Sequence, residues 1–435
     1  MPLVCPMPSS FNRLLVVVIV SLAAPKASVI ASSTYSSWNE IAPSGPSVGR
    51  LTGHVGISDH DSDSALIFGG HNGDRTRSTN DVWMFSFHGK SWQKIAPTST
   101  LPLARHDHCG TTCSSDSSRQ ALFFGGASND GSLLNDVWAL SLGSTYTWRQ
   151  LPPSSPLRPS SRAQSACACI NASFFVVFGG RDALGASGEI WLLNLLTNTW
   201  IMPNMPHSTS ANAMPGPLFG SCIHALSNSR VFIFGGIDSQ NVASNDAWIL
   251  DVNVSQLGFM SHKLGSNAIP SARGFHGCIG APATSVEQIS HTVYIRGGIG
   301  SGETRHDNIL QDMWSCSLIF TLVEINFHCR PVVFLSALPL CSQCASVMIA
   351  SIVLVHGGVT VGGKLSSETN LLFLTDMRVE SVQHPSQDVP SARSGAVVAH
   401  FTNLNAQKFM FLHGGITLNG TLLDDTWLLD TSTSR

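Results

Sequence analysis

An all-β chain of seven repeated units, each of four short strands, is predicted by three observations. Gly-Gly pairs recur at Gly69-Gly70, Gly125-Gly126, Gly179-Gly180, Gly235-Gly236, Gly297-Gly298, Gly357-Gly358 and Gly414-Gly415, with 54 to 62 residues between successive second glycines. Almost all follow an apolar run, such as Ala65 to Phe68, Phe174 to Phe178 or Phe409 to Leu412. An aromatic residue comes 11 to 16 residues after each pair: Trp83, Trp138, Trp191, Trp248, Trp314, Phe373 and Trp427. A period of this length signals a propeller or a solenoid.

Within a unit the elements keep one order. A lead-in segment of proline, one or two small residues and arginine opens the first strand, as at Arg105, Arg162, Arg273 and Arg393. The second strand is the apolar run, bounded by the Gly, Pro, Ser and Asn residues that punctuate strands. The glycine pair turns the chain through positive φ, which a Cβ opposes. An acidic residue stands two places before the aromatic, as Asp81, Asp136, Glu189, Asp246, Asp312 and Asp425, and is expected to accept backbone N–H groups where the third strand starts. The tryptophan fills the wedge between neighbouring sheets, and its indole N–H needs a partner. A second tryptophan, Trp92, Trp148 or Trp200, marks the fourth strand of the first three units.

These residues resemble the kelch family from Trp38 to Asp430: glycine pair after the second strand, tryptophan on the third and fourth, arginine leading the first. The resemblance implies a seven-bladed β-propeller with four-stranded blades around a channel. Two units depart from the pattern. The fourth has Pro217 where arginine is expected, and the sixth has the apolar stretch Leu318 to Leu340 and Phe373 in place of tryptophan. Interrupted by Glu324, Asn326, His328 and Arg330, that stretch reads as a strand pair with a long loop. Too few residues follow Asp430 for a fourth strand, whereas residues 36–43 match the fourth-strand segment 91–97. The amino-terminal strand is therefore expected to complete the last blade and close the ring, leaving no free sheet edge.

Residues 1–31 read as a secretory signal peptide: Arg13, an apolar core from Leu14 to Ala24, then small residues ending at Ala31. The core is shorter than the roughly 20 residues a spanning helix needs. Residues 32–435 then form one propeller, secreted or in the secretory-pathway lumen, with no transmembrane span after cleavage. An uncleaved signal anchor tethering the protein to a membrane is the alternative. Sequons at Asn171, Asn253 and Asn419 fall between predicted strands, where a glycan would sit in solvent. Among the cysteines, Cys167, Cys222 and Cys278 occupy matching first-strand positions and read as small buried residues. The disulfide candidates are Cys341 with Cys344, or Cys109 with Cys113. One Cys-x-x-Cys without a second pair does not make a zinc site, and no cofactor is expected. A net charge of −3 argues against nucleic acid as a partner.

Each unit runs up, down and up again, so lead-in segments and post-glycine loops share one end. Long loops on a rigid scaffold commonly carry binding. The candidate binding residues at that end are His71, Arg75, Arg181, Arg305, His306 and Asp307 from the loops, with Arg105 and Arg273 from the lead-in segments. The repeat arginines also have a structural reading, bonding neighbouring loop carbonyls. The expected function is a non-catalytic binding or scaffold module for a protein, peptide or glycan, arginine forks being suited to carboxylates.

A propeller enzyme of the kelch type, an oxidase, epimerase or specifier with its site in the same basin, is the alternative. Copper-radical oxidases of this fold need tyrosines and histidines around the metal, but Tyr35, Tyr146 and Tyr294 lie in a terminal segment, a fourth strand and a second strand. Glu303-x-x-x-Asp307 is similar to the iron motif of nitrile-specifier relatives, yet Gln311 stands where its histidine belongs. No Ser/His/Asp spacing and no phosphate loop occurs, and no catalytic residue is assigned.

Overall fold

A computed structural model describes residues 38–41, 46–59, 64–72, 77–97, 99–114, 119–143, 145–154, 156–170, 172–202, 214–227, 229–253, 258–266, 268–280, 290–301, 310, 312–320, 325–332, 345–349, 352–358, 365–373, 378–381, 389–393, 396–402, 408–417, 419 and 421–430. Among these the protein is all-β. It holds seven four-stranded sheets, every strand pair antiparallel, an arrangement that fits a β-propeller. No helix among them is long and apolar enough to cross a membrane.

The first strands of the seven sheets are Val55–Asp59, Cys109–Ser114, Ala166–Ile170, Cys222–Ala225, Gly277–Gly280, Ala345–Ile349 and Val397–Thr402. Each touches the next, and the seventh touches the first. The other strands follow outward in chain order, except in the seventh sheet. Its outermost strand is Trp38–Ile41, which pairs with Thr426–Asp430 so that Trp38 faces Leu429 and Ile41 faces Thr426. Trp92 Nε1, from the first sheet, donates to Thr426 Oγ1 at 3.0 Å. Ile41, Leu51, Ile67, Phe85, Trp92, Phe411 and Leu428 share one core between these two sheets.

The continuous apolar runs follow from burial on both faces. In strand Ser64–Phe68, Ala65 and Ile67 pack toward the seventh sheet. Leu66 and Phe68 pack toward Phe123 and Trp148 of the second. Four more residues of this kind, Phe175 and Val177 toward one neighbour and Val176 and Phe178 toward the other, do the same in the third sheet. Each fully buried side chain contributes about 1.5–3 kcal/mol. The glycine pairs make the turn that follows. Gly125 and Gly126 have φ of 64° and 95°, and a Cβ on Gly126 would lie 2.6 Å from His106 O.

Two expectations are corrected. The stretch beginning at Leu318 belongs to the fifth sheet, not the sixth: Met313–Phe320 and Ile325–Pro331 pair as its third and fourth strands. The sixth sheet is four-stranded, Ala345–Ile349, Ile352–His356, Thr369–Phe373 and Arg378–Ser381. Cys109 and Cys113 do not join each other. Four residues apart on one extended strand they are about 13 Å distant, beyond disulfide reach. They bond instead to Cys167 and Cys169 on the first strand of the third sheet, with Cα separations of 6.0 and 5.6 Å. Cys222–Cys278 ties the first strands of the fourth and fifth sheets in the same way, and Cys316–Cys329 lies within the fifth. Cys341 and Cys344 lie outside the described residues.

Deleting residues 38–41 removes one strand ladder and the buried Ile41. It is expected to cost about 3 kcal/mol or more, read as a lower urea midpoint. A truncated chain unfolding at the full-length midpoint would remove the amino-terminal strand from the fold's support.

Candidate functional site

Backbone pairing ties the lead-in segments to the post-glycine loops. Thr52 bridges His71, Ala163 bridges Arg181, Phe219 bridges Ile237 and Gly274 bridges Ile299, while Arg105–His106 pairs with Ala127–Ser128. The second glycine then reaches the following unit: the N–H groups of Gly70, Gly126, Gly180 and Gly236 donate to the carbonyls of Arg105, Arg162, Leu218 and Arg273. Both kinds of loop thus lie at one end.

The repeat arginines lie inside this framework, and Arg105, Arg162 and Arg273 are 0% exposed. Arg105 donates through Nη1 and Nη2 to the two oxygens of Asp136, each at 2.7 Å, and to Gly125 O and Leu103 O at 3.0 Å. Trp138 Nε1 donates to the same carboxylate at 2.7 Å. Arg273 repeats the set with Asp312, Gly297 O and Trp314, and Arg393 repeats it with Asp425, Gly414 O and Trp427. Arg162 reaches one oxygen of Glu189 through Nη2, which Trp191 Nε1 also meets, while its Nη1 donates to Gly179 O and Ser187 Oγ. The acid two places before the tryptophan therefore accepts chiefly from a guanidinium and an indole rather than from the backbone. A two-pronged guanidinium matches the carboxylate's two oxygens. Burial works to raise the carboxyls of Asp136, Asp312 and Asp425, but the arginine's bonds and charge, with the indole, outweigh it and hold each below the usual range. Arg105 and Arg273 have no exposed group for a partner, which corrects their expected place on the binding face.

Two of the units whose lead-in segment is described lack the arginine. By register Leu51 and Leu218 take its place, so Leu218, not Pro217, is the substitute in the fourth unit. The acids of these units pair with lysines instead: Lys94 with Asp81 and Lys263 with Asp246, both at 2.8 Å. Each lysine sits opposite the unit's tryptophan on the fourth strand, its ammonium 5.8 Å from the indole centroid.

Residues 26–214 match the family model of the KLHDC2/KLHL20/DRC7 Kelch-repeats domain. This match and the relatives that follow support a kelch-repeat family for the chain. An F-box/kelch-repeat protein of Arabidopsis thaliana is 29% identical over 230 residues, 49% of this chain and 46% of that protein. Adagio protein 3 of Arabidopsis thaliana is 26% identical over 194 residues, 43% of this chain and 29% of that protein. The chain thus spans less than half the length of these relatives. Kelch domain-containing protein 10 of Rattus norvegicus is 26% identical over 396 residues, 84% of this chain and 83% of that protein. Kelch repeats point in general to a protein-interaction scaffold.

On this kelch scaffold Arg181 differs from the repeat arginines. It opens a hairpin with Gly185–Ala186, its guanidinium lies 4.9 Å from the Phe219 ring centroid, and among the described residues no carboxylate pairs with it. His71 packs against His106 with ring centroids 3.4 Å apart, and His106 Nδ1 meets Ser78 Oγ at 2.9 Å. Arg75, Arg305, His306 and Asp307 lie outside the described residues. Asn419 is exposed in a turn. Asn253 ends the third strand of the fourth sheet opposite Gly258, at a strand end rather than between strands. Asn171 is outside the described residues. Sequence reasoning missed the exposed apolar residues of this end: Leu184, 97% exposed at the hairpin tip, with Leu101, Leu103, Leu157 and Val242. Their signal was available, since each falls outside the period-2 strand runs.

Beneath the loops lie histidines with no partner for either ring nitrogen among the described residues, His54, His108 and His276. Burial pushes His54 down to about 4, with His276 and His413 at about 3 and His108 well below its usual value. The unfolded chain takes up these protons near pH 6.5 while the folded one does not, so stability is full above pH 6.5 and falls as pH drops toward 4. Asp107, raised by burial to about 6, opposes this between pH 6 and 3.8, one group against these four histidines and against His106, His224 and His291, which burial also lowers. The urea midpoint is expected to be flat above pH 7 and to fall from pH 6.5 to 4. A midpoint that held or rose across that range would contradict the buried-neutral histidines.

Proposed function

We propose that the chain is a non-catalytic docking module, a closed seven-bladed propeller that binds a protein partner on the face formed by its lead-in and post-glycine loops. The observation that carries this is the division of labour among the arginines. The repeat arginines are buried and bonded, whereas Arg181 stands on the same end with aromatic support and no acid partner among the described residues, beside exposed apolar residues. A guanidinium beside apolar surface suits an acidic group flanked by apolar side chains. The closed ring is supported by the contact circuit of first strands and by the pairing of Trp38–Ile41 with the last strand. Alanine at Arg181 is expected to weaken partner binding at least tenfold in a secreted-protein and glycan array, with the thermal midpoint unchanged. Unaltered binding would move the site away from this face.

The same reading places the protein in the secretory pathway, with residues 1–31 removed. The signal-like segment Arg13 to Ala31 supports it, as do disulfides joining first strands of neighbouring sheets, bonds that persist in oxidising compartments. Asn419 then offers an exposed glycan acceptor. Protein recovered from the medium of expressing cells is expected to start after Ala31 and to lose mass on enzymatic deglycosylation. Cytosolic retention with Met1 in place and free thiols would overturn the secretory reading.

A further inference from the structure

At the loop end, the residue two places beyond each arginine position lies in the left-handed region. Gly53, Asp107, Gln164, Gly220 and Phe275 have φ of 66°, 54°, 58°, 64° and 52°. A run of backbone bonds joins them: Asp107 N donates to Gly53 O at 2.9 Å, Gln164 N to Asp107 O at 2.9 Å, Gly220 N to Gln164 O at 3.3 Å and Phe275 N to Gly220 O at 2.8 Å. They form a lip across five consecutive sheets, at the head of the circuit of first strands. Glutamine and phenylalanine do not favour this backbone region, so the lip imposes it. Side chains lean over the two glycines: a Cβ on Gly53 would lie 2.7 Å from Asp107 Oδ1, and one on Gly220 would lie 2.9 Å from the Phe275 ring.

Asp107 is 5% exposed. Among the described residues its one side-chain bond is from Gln164 Nε2, at 3.3 Å, and no lysine, arginine or histidine forms an ion pair with it. With Nε2 turned to the carboxylate, Gln164 Oε1 is left as an acceptor, buried and without a partner. The lip thus gathers a nearly bare carboxylate and an unused carbonyl oxygen. A buried charge of this kind is costly unless a counter-charge joins it. What complements acceptors alone is a cation that only donates. A primary ammonium, three donors on a compact charge, fits better than a wide guanidinium fork.

We propose that Asp107 and Gln164 form a seat for a primary ammonium group at this lip, carried by a free amine or by a lysine side chain. Burial already raises the Asp107 carboxyl to about 6, as an uncompensated charge requires. The seat does not depend on the docking surface of Arg181, and either can fail alone.

Calorimetric titration of the full chain with n-butylammonium, at pH 7.5 where Asp107 is ionised, is expected to give a Kd of about 1 mM. Asp107→Asn keeps the size and tolerates the left-handed backbone. It is expected to weaken binding at least tenfold while leaving the ligand-free thermal midpoint equal or higher. Gln164→Met is expected to weaken binding several-fold. An acetyl-Gly-Lys-Gly-amide peptide binding more tightly than butylammonium marks a lysine side chain as the source, and the reverse order marks a free amine. Absence of binding, binding equal in wild type and Asp107→Asn, or a midpoint clearly lowered by Asp107→Asn would each overturn the seat, the last because it would reveal a structural partner for the carboxylate.

Discussion

Each sheet of this protein is buried on both faces, so its angle to its neighbours must be held by something other than its own strands. The buried arginine fixes the parts of its own unit, and its backbone carbonyl accepts from the second glycine of the unit before, as Gly70 N donates to Arg105 O. One guanidinium gathers the carbonyl of its own lead-in segment, the first glycine of its unit and the acid that also holds the unit's tryptophan. Strand start, turn and wedge-filling aromatic are thus fixed relative to one another. Breaking a buried pair of this kind leaves an uncompensated charge, at about 3–5 kcal/mol in other proteins. That is a large share of the 5–15 kcal/mol by which native proteins are stable.

The first and fourth units, whose described lead-in segments lack arginine, show what the constraint requires. With Leu51 and Leu218 at the lead-in position, the acids would face no cation, and a lysine arrives from the fourth strand in both cases. The substitute is inferior in one respect. A lysine is a point charge on a flexible stem, half-exposed here, and Trp248 Nε1 is left without a partner among the described residues. Those sheets lean more on packing, and the fourth gains a disulfide from its first strand to the fifth sheet.

Rigidity of this sort frees the loops. Because the framework bonds are made by repeated residues, the side chains that vary at the loop end, Arg181, Leu184 and Val242 at the rim and Asp107, Gln164 and Phe275 at the lip, have little part in holding sheets together. The lip differs from the rim in chemistry. One is a buried acceptor set, the other an exposed apolar surface beside Arg181, which has no acid partner among the described residues.

The all-β class, the strand order within a unit and the pairing of the first described strand with the last were legible in the sequence, because a glycine pair, an apolar run and a tryptophan each answer a local demand that recurs with the unit. Which residues face a partner was not. Arg105 and Arg181 are the same side chain in neighbouring units, and only the fold shows that one is enclosed by Asp136 while the other lies over Phe219. The cysteines tell the same story: Cys109 and Cys113 are close along the chain yet each finds its partner across a sheet boundary. Local periodicity determined the elements of this protein, whereas burial, ion pairing and cross-sheet bonding were decided by tertiary structure, since they bring together residues distant along the chain, 31 positions apart for Arg105 and Asp136 and 56 to 58 for the cysteines that join adjacent sheets.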